Sequence, residues 1–453
     1  MPLARWVTVL MGILCLLCPW SSSAGPSFVY CTVLLGLAVL LVLTLRSPRG
    51  SGLSATPLVW LMAGATVAGV VLTAGVAVAE GASAGLVLLA AVPAMVVGVG
   101  VITARLRPTR PALVLLAAGG GVLVVALTVV WAQPIDVELF VKEGLDALTR
   151  GTSPYAVTID DVYPAGEAAR VYGAGIVVGG QVQVGYPYLP AALLIDLPAH
   201  LVADAVWMHL ASVALAVVLA WRVAGDALGR AAVVTLALSP ATSILIVNYW
   251  VEAVMVGLLA LAWWAMQQRR RSIAAIAIGA LFASKQYSAF FLPALWPVFR
   301  SMGGAVVVGA AVVGVVVVGA FVLMDPGAFY TSAVEFQLVQ PFREDAVSLL
   351  PGIRAVAGSL PSWVTVASPV LGLVVSALVA RRTRPGATSF VLCMGLGLLV
   401  TVIFAKQAFV NYYAFIGAVL LLAGVSWPQD DPTQMREPSS QGSRGDLGIS
   451  RTR

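Results

Sequence analysis

The sequence predicts an all-α fold: a polytopic helical membrane bundle of about 12–14 transmembrane helices with an extracytoplasmic loop carrying amphipathic helices. Three observations carry that prediction. Sixty per cent of the residues are hydrophobic and only 10% are charged, with a mean hydropathy of +0.97. Apolar runs of roughly 20 residues recur from end to end, each long enough to cross a ~30 Å hydrocarbon core as a helix. The cations fall where such a bundle needs them.

Apolar runs between polar breaks place spans near 6–20, 28–45, 56–79, 83–103 and 111–132, and then 204–221, 230–247, 249–267, 272–284, 286–299, 303–324, 362–380, 387–405 and 409–426. Both chain ends are then cytoplasmic. Arg46/Arg49, Arg105/Arg107/Arg110, Arg222/Arg230, Arg269–Arg271, Arg300 and Arg381/Arg382/Arg384 all lie inside. With Arg5 and the tail arginines, nineteen of the 26 cations are inside; the other seven, including all three lysines (Lys142, Lys285 and Lys406), are outside. This is the positive-inside distribution. It makes the net charge of +6 a mark of topology and excludes nucleic acid as its cause.

The chain divides accordingly. N-terminal transmembrane helices (1–132) lead to an extracytoplasmic acidic loop with interfacial helices (133–203). A central bundle (204–324), a second extracytoplasmic loop (325–361) and C-terminal helices (362–426) follow. A disordered cytoplasmic tail (427–453) ends the chain. The start, Arg5 followed by an apolar run to Trp20 and then Ser21–Gly25, resembles a signal peptide, either cleaved or kept as the first helix. The Ala/Val/Gly/Arg-rich composition is that of a GC-rich bacterium, so a bacterial cell membrane is the expected location. Cys15, Cys18, Cys31 and Cys393 all lie in apolar runs and read as small buried hydrophobes. With His200 and His209 alone, a histidine-based metal site is not expected.

Two segments are too short or too broken for ordinary spans. Ser284-Lys285-Gln286 interrupts the apolar run 272–299. A lysine at the bilayer centre costs roughly 2.5–3.5 kcal/mol. Two short helices meeting at the outer face would instead place Lys285 in a watery cleft. Leu189–Val202, interrupted by Pro190 and Pro198, reads as an interfacial or re-entrant piece.

The polar interruption at 133–189 is the most informative feature. It holds seven carboxylates (Asp136, Glu138, Glu143, Asp146, Asp160, Asp161 and Glu167) against three cations (Lys142, Arg150 and Arg170). Residues 137–150 show helical periodicity, with Val137, Phe140, Val141, Leu145 and Leu148 on one face and Gly151 as C-cap. This is an amphipathic interfacial helix with Asp136 at its N-cap. Asp136 therefore has two readings: a cap worth about 1 kcal/mol, or a general base that deprotonates an acceptor hydroxyl. Its position at the mouth of a bundle favours the base. Glu138 could share the role, although residues two apart on a helix do not face the same way. Asp160, Asp161 and Glu167 read as ordinary solvated charges.

Pro134-Ile135-Asp136-Val137-Glu138, then Gly151-Thr152-Ser153-Pro154-Tyr155, then Gly185-Tyr186-Pro187-Tyr188-Leu189-Pro190 follow in order. In this the chain resembles the GT-C superfamily of integral-membrane glycosyltransferases, in particular bacterial polyprenyl-phosphate-mannose-dependent mannosyltransferases. Weaker echoes are Asn248-Tyr249-Trp250-Val251-Glu252, Ser284-Lys285-Gln286-Tyr287 and Asn411-Tyr412-Tyr413, and the resemblance covers roughly residues 130–426. The chain departs from the superfamily pattern in having four further apolar runs before the acidic loop, Tyr188 in place of the second Pro of Tyr-Pro-Pro, and Glu252 where a neutral amide is commoner.

The resemblance implies displacement at the sugar C1 of a lipid-phosphate sugar, mannose as the best guess with arabinofuranose open. The acceptor would be a lipid-linked or envelope glycan. Asp136 would be the base, with Glu138 beside it. Lys285 is the first candidate for the donor phosphate, followed by Arg343 and Lys406. A structural Lys285–Glu252 ion pair stays open as the alternative for Lys285, a solvated loop charge for Arg343, and snorkelling from a helix end for Lys406. Tyr155, Tyr186, Tyr188, Tyr412 and Glu252 are candidates for substrate contact. Trp250 and Tyr287 also lie near the outer interface, where most aromatics serve as belt residues. No cofactor is required; a divalent metal would take Asp136 and Glu138 as ligands, and nothing demands one. A transporter with broken helices and a non-catalytic envelope assembly protein are the rival classes.

Overall fold

The structure, a computed structural model, describes residues 2–18, 24–45, 53–103, 109–130, 135–164, 166–361 and 363–427. The expected disordered tail beyond Trp427, the basic loops carrying Arg46/Arg49 and Arg105/Arg107, and Pro134 lie outside the described residues. Within them the fold is all-α and polytopic. The strands among them are three two-residue pieces, Ile159–Asp160, Val177–Val178 and Gln181–Val182, paired antiparallel with the last in the middle.

Five helices among the described residues are long and apolar enough to cross a membrane: Ser27–Thr44, Thr56–Ala79, Ala84–Ile102, Val206–Val223 and Gly304–Met324. A sixth crossing is the pair Ala227–Leu238 and Pro240–Val247, bent by 43°. Pro240 has no N–H to continue the first helix, and Ser239 before it is extended. The other expected spans fall on helices too, most of them shorter than 18 residues, such as Leu3–Leu16, Glu252–Gln267, Arg271–Phe282, Ala387–Ile403 and Val410–Ser426. One differs in kind. Residues expected as a helix over 286–299 form a 3₁₀ segment, Gln286–Ala294, and a short α-helix, Leu295–Met302. Pro293 interrupts the donor series there.

The core is built from Ala387–Ile403, buried along its whole length, and from Val410–Ser426, buried except at Tyr412. Gly304–Met324 stands at the periphery, with only Val306, Ala310 and Phe321 buried. Its exposed valines present apolar surface, which hydrocarbon accepts. Leu3–Leu16 packs against Val410–Ser426. The two approach closely because Gly12 faces Gly417, where an added Cβ would stand 3.0 Å from the Gly12 carbonyl oxygen. In this structure the helix Leu3–Leu16 packs into the bundle, with Met11, Ile13 and Cys15 fully buried.

A charged clasp closes one end. Arg5 donates to both Asp226 oxygens at 2.6 and 3.0 Å and to the Gly424 carbonyl at 2.9 Å. Asp226 also caps Ala227–Leu238 by accepting from the Gly229 N–H at 2.7 Å. Three helix ends meet on one guanidinium. Arg5→Ala is expected to destabilise the protein by about 1–3 kcal/mol, between the values for an exposed and a buried pair because Asp226 is 41% exposed. Thermal unfolding in detergent checks this; an unchanged midpoint would show that the clasp carries no stability.

Candidate functional site

The site lies at the other end of the bundle. It starts from the helix Asp136–Thr149, which buries Val137, Phe140, Val141, Gly144, Leu145 and Ala147 and packs on the helix Pro190–Val202. Gly151 ends it as expected, in a left-handed conformation (φ +72°). The Thr152 and Gly151 N–H groups bond back to the Ala147 and Leu148 carbonyls at 2.9 and 3.0 Å, a Schellman arrangement. The start is one residue earlier than expected. Ile135, extended, is the N-cap, and Asp136 is the first helical residue, not the cap. Its carboxylate accepts from the Val137 N–H at 2.9 Å, at the electropositive helix end.

The Gly-Thr-Ser-Pro-Tyr and Gly-Tyr-Pro-Tyr-Leu-Pro segments lie against each other. The Tyr186 N–H donates to the Pro154 carbonyl at 3.0 Å, and the Tyr155 hydroxyl to the Tyr188 carbonyl at 3.0 Å. Ser332 bridges them, accepting from the Gly185 N–H at 2.9 Å and donating to the Tyr155 carbonyl at 2.8 Å. Only glycine fits at 185, because a Cβ there would strike the Tyr155 carbonyl. Tyr155 and Tyr186 are buried against each other, and Tyr155 also meets Phe321 and Phe329. They hold the frame and do not line the cavity described next.

That cavity has a volume of about 520 Å³. Asp136, Tyr163, Tyr172, Tyr188, Trp250, Lys285, Arg343 and Tyr412 line it, with five neutral amides: Asn248, Gln337, Gln340, Gln407 and Asn411. Burial pushes the Asp136 carboxyl above the usual carboxylate range, although the Tyr163 hydroxyl, the Val137 N–H and the Arg343 charge pull the other way. Arg343 grips Asp345 with both arms, at 2.8 and 2.7 Å, and stacks over Phe409 at 5.0 Å. That pair holds the Asp345 carboxyl below its ordinary range. Arg343 is 15% exposed, so it is a cavity cation and not a solvated loop charge.

The opposite wall holds Lys285. Its ammonium donates to Glu252 at 2.6 Å and sits over the rings of Tyr188, Tyr412 and Tyr287 at 4.6, 4.9 and 5.2 Å. The same Glu252 oxygen accepts from Asn411 at 3.0 Å and Tyr287 at 3.2 Å. The expected watery cleft is therefore replaced by a caged ion pair, because a buried ammonium needs a counter-charge more than it needs space. Glu252 itself is wholly buried. The three weaker motifs, around Asn248, Ser284 and Asn411, thus converge on one point.

The remaining candidates lie outside the lining. Glu138 faces away and pairs with Lys142 at 2.7 Å, so it does not converge with Asp136 on one ion or one proton. Lys406 donates to the Leu338 and Gln340 carbonyls at 3.1 and 2.6 Å, bracing the segment that carries Arg343. Among the described residues no group of three or more His, Cys, Asp or Glu side chains is placed to hold a metal ion. Asp160, Asp161 and Glu167 make local contacts with Gln181, the Tyr163 N–H and Arg170. Sequence reasoning missed Tyr163, Tyr172, Gln337, Gln340 and Gln407; they sit in irregular or short segments with no periodicity to mark a face. No protein-family model, curated protein or solved structure matches the chain.

Lys285→Met strands Glu252 and is expected to cost about 3–5 kcal/mol, while Lys285→Met with Glu252→Gln recovers most of it. Unfolding midpoints of the two variants test this; equal losses would rule out a coupled pair. Gly185→Ala is expected to cost about 1–3 kcal/mol through the forced backbone shift, read in the same assay.

Proposed function

We propose that the protein is a GT-C-type glycosyltransferase of a bacterial cell membrane. It moves a sugar from a polyprenyl-phosphate donor to an envelope glycolipid or glycan on the outer face, with mannose ahead of arabinofuranose. One observation carries the reading: a half-buried carboxyl with a raised pKa lines a cavity that also holds five neutral amides, several aromatic rings and an arginine. Amides offer both donors and acceptors to a polyol, and ring faces cover its apolar C–H surface. The order of the Asp136, Gly151–Tyr155 and Gly185–Pro190 motifs, and the excess of cations on the opposite side, support the class and the outer-face location.

The chemistry is a displacement at C1. Asp136 takes the proton of the acceptor hydroxyl as its oxygen bonds to C1. The C1–oxygen bond to phosphate breaks, and the polyprenyl phosphate departs with the electron pair. Arg343 faces the growing phosphate charge. Lys285, paired with Glu252, adds a rigid wall of little net charge. A transporter reading draws on the bent helix pair at Ser239 and the 3₁₀ segment after Lys285; it requires flux of a soluble solute and no bond-making.

Asp136→Asn is expected to lower transfer by about 10²–10⁴-fold, measured with radiolabelled polyprenyl-phosphate mannose and envelope glycolipid in reconstituted protein. The same variant should keep or raise its unfolding midpoint at neutral pH. A carboxyl whose folded pKa is raised stabilises the fold only at low pH, and that contribution is lost as pH rises through the folded value. Wild-type transfer should fall on acidification through a pKa above the ordinary 3.8. Full transfer by a folded Asp136→Asn variant would remove Asp136 from the chemistry.

A further inference from the structure

Among the described residues only two that are not glycine take a left-handed backbone, Tyr249 at φ +53° and Arg269 at φ +54°. Each ends a helix in the same way. After Pro240–Val247 the Tyr249 and Trp250 N–H groups bond back to the Ile246 and Leu245 carbonyls, both at 3.2 Å. After Glu252–Gln267 the Arg269 and Arg270 N–H groups bond back to the Met266 and Ala265 carbonyls at 3.2 and 2.8 Å. Glycine is the usual residue at this point of a Schellman turn, because a β-carbon disfavours the left-handed conformation. Helix termination accounts for the turn but not for a tyrosine within it.

Contacts behind the cavity account for the tyrosine. Its hydroxyl donates to Asp204, and the same Asp204 oxygen accepts from the Val206 N–H at 2.8 Å, at the start of Val206–Val223. Lys142 lies over the Tyr249 ring at 4.9 Å and reaches Glu138 at 2.7 Å and Asp204 at 3.6 Å. His209 packs against the same ring, with centroids 5.8 Å apart. Lys142 and Glu138 belong to the helix that carries Asp136. Asn248 and Trp250, on either side of Tyr249, line the cavity, whereas Tyr249 itself does not. The turn is fastened at its middle residue to the helix of the base, and its two flanking residues form cavity wall.

We propose that Tyr249 is a positioning residue of this site: its bond to Asp204 and its contact with Lys142 hold Asn248 and Trp250 in register with Asp136. The assignment rests on the transferase reading above. The Asn248 amide can donate to and accept from sugar hydroxyls, and the Trp250 ring can cover sugar C–H surface. Both bind better when already fixed, because a pre-ordered group loses less freedom on binding.

The test uses the full chain in phospholipid nanodiscs, with radiolabelled polyprenyl-phosphate mannose as donor and octyl mannoside as acceptor. Tyr249→Phe should unfold within about 4 °C of wild type. It should raise KM for one substrate about 5–10-fold, with kcat changed by less than about twofold. Asp204→Ala should reproduce that rise, and Asp204→Asn, which keeps an acceptor oxygen, should reverse most of it. In a chain already carrying Asn248→Ala and Trp250→Ala, adding Tyr249→Phe should change KM by less than about twofold, because its effect runs through those residues. Arg269→Gly, in the matching turn at the far end of Glu252–Gln267, should leave both constants at wild-type values. Wild-type constants in folded Tyr249→Phe and Asp204→Ala proteins, or an undiminished Tyr249→Phe effect in the double-alanine chain, would overturn the inference and leave the transferase reading standing on Asp136. Absence of both donor binding and transfer in the wild type would overturn that reading, and the inference with it.

Discussion

One wholly buried carboxylate organises this end of the bundle. A single oxygen of Glu252 takes hydrogen bonds from Lys285, Tyr287 and Asn411, which arrive on two distant segments of the chain. In a low-dielectric interior a charge must be paired and hydrogen-bonded or the fold pays for it. That requirement ties the start of Glu252–Gln267, the break after Arg271–Phe282 and the start of Val410–Ser426 to one point. Asn248, Trp250, Lys285, Asn411 and Tyr412 then line one wall of the cavity as a consequence.

The cavity consequently has two unlike walls. On one, charge is cancelled internally: Lys285 is held by Glu252 and covered by three aromatic rings. On the other, Asp136 and Arg343 come from the two long loops, and their charges act on each other. Arg343 keeps its own counter-ion in Asp345, so among the described residues Asp136, half-buried, forms no salt bridge. Its raised pKa follows from that division. A rigid floor and a wall with an underused carboxyl suit proton transfer in a positioned complex better than simple anion storage.

The all-α bundle and six of its crossings were legible because hydrocarbon tolerates few ways to bury a backbone, so length and polarity nearly decide them. The Lys285–Glu252 pair was legible as the alternative to a phosphate ligand in a watery cleft, because a lysine inside an apolar run needs a counter-charge. Asp136 was found from its place after a span, although its register was read one residue late. Cap position depends on the φ and ψ of Ile135, which composition does not report. Tyr163, Tyr172 and the glutamines were illegible. They reach the cavity because Gly173 packs on the 339–341 segment and Lys406 braces it, contacts between loops far apart in the chain. Glu138 and Lys406 misled for the opposite reason, since a charge near a helix end satisfies a local neighbour as readily as a substrate.

The most direct test of the central claim is an experimental structure of the full chain in lipid with a non-hydrolysable polyprenyl-phosphonate mannose bound. The account predicts density for the sugar inside the cavity beside Asp136, with the phosphonate beside Arg343. Density for the donor at any other place on the bundle, with this cavity unfilled at saturating ligand, would contradict it.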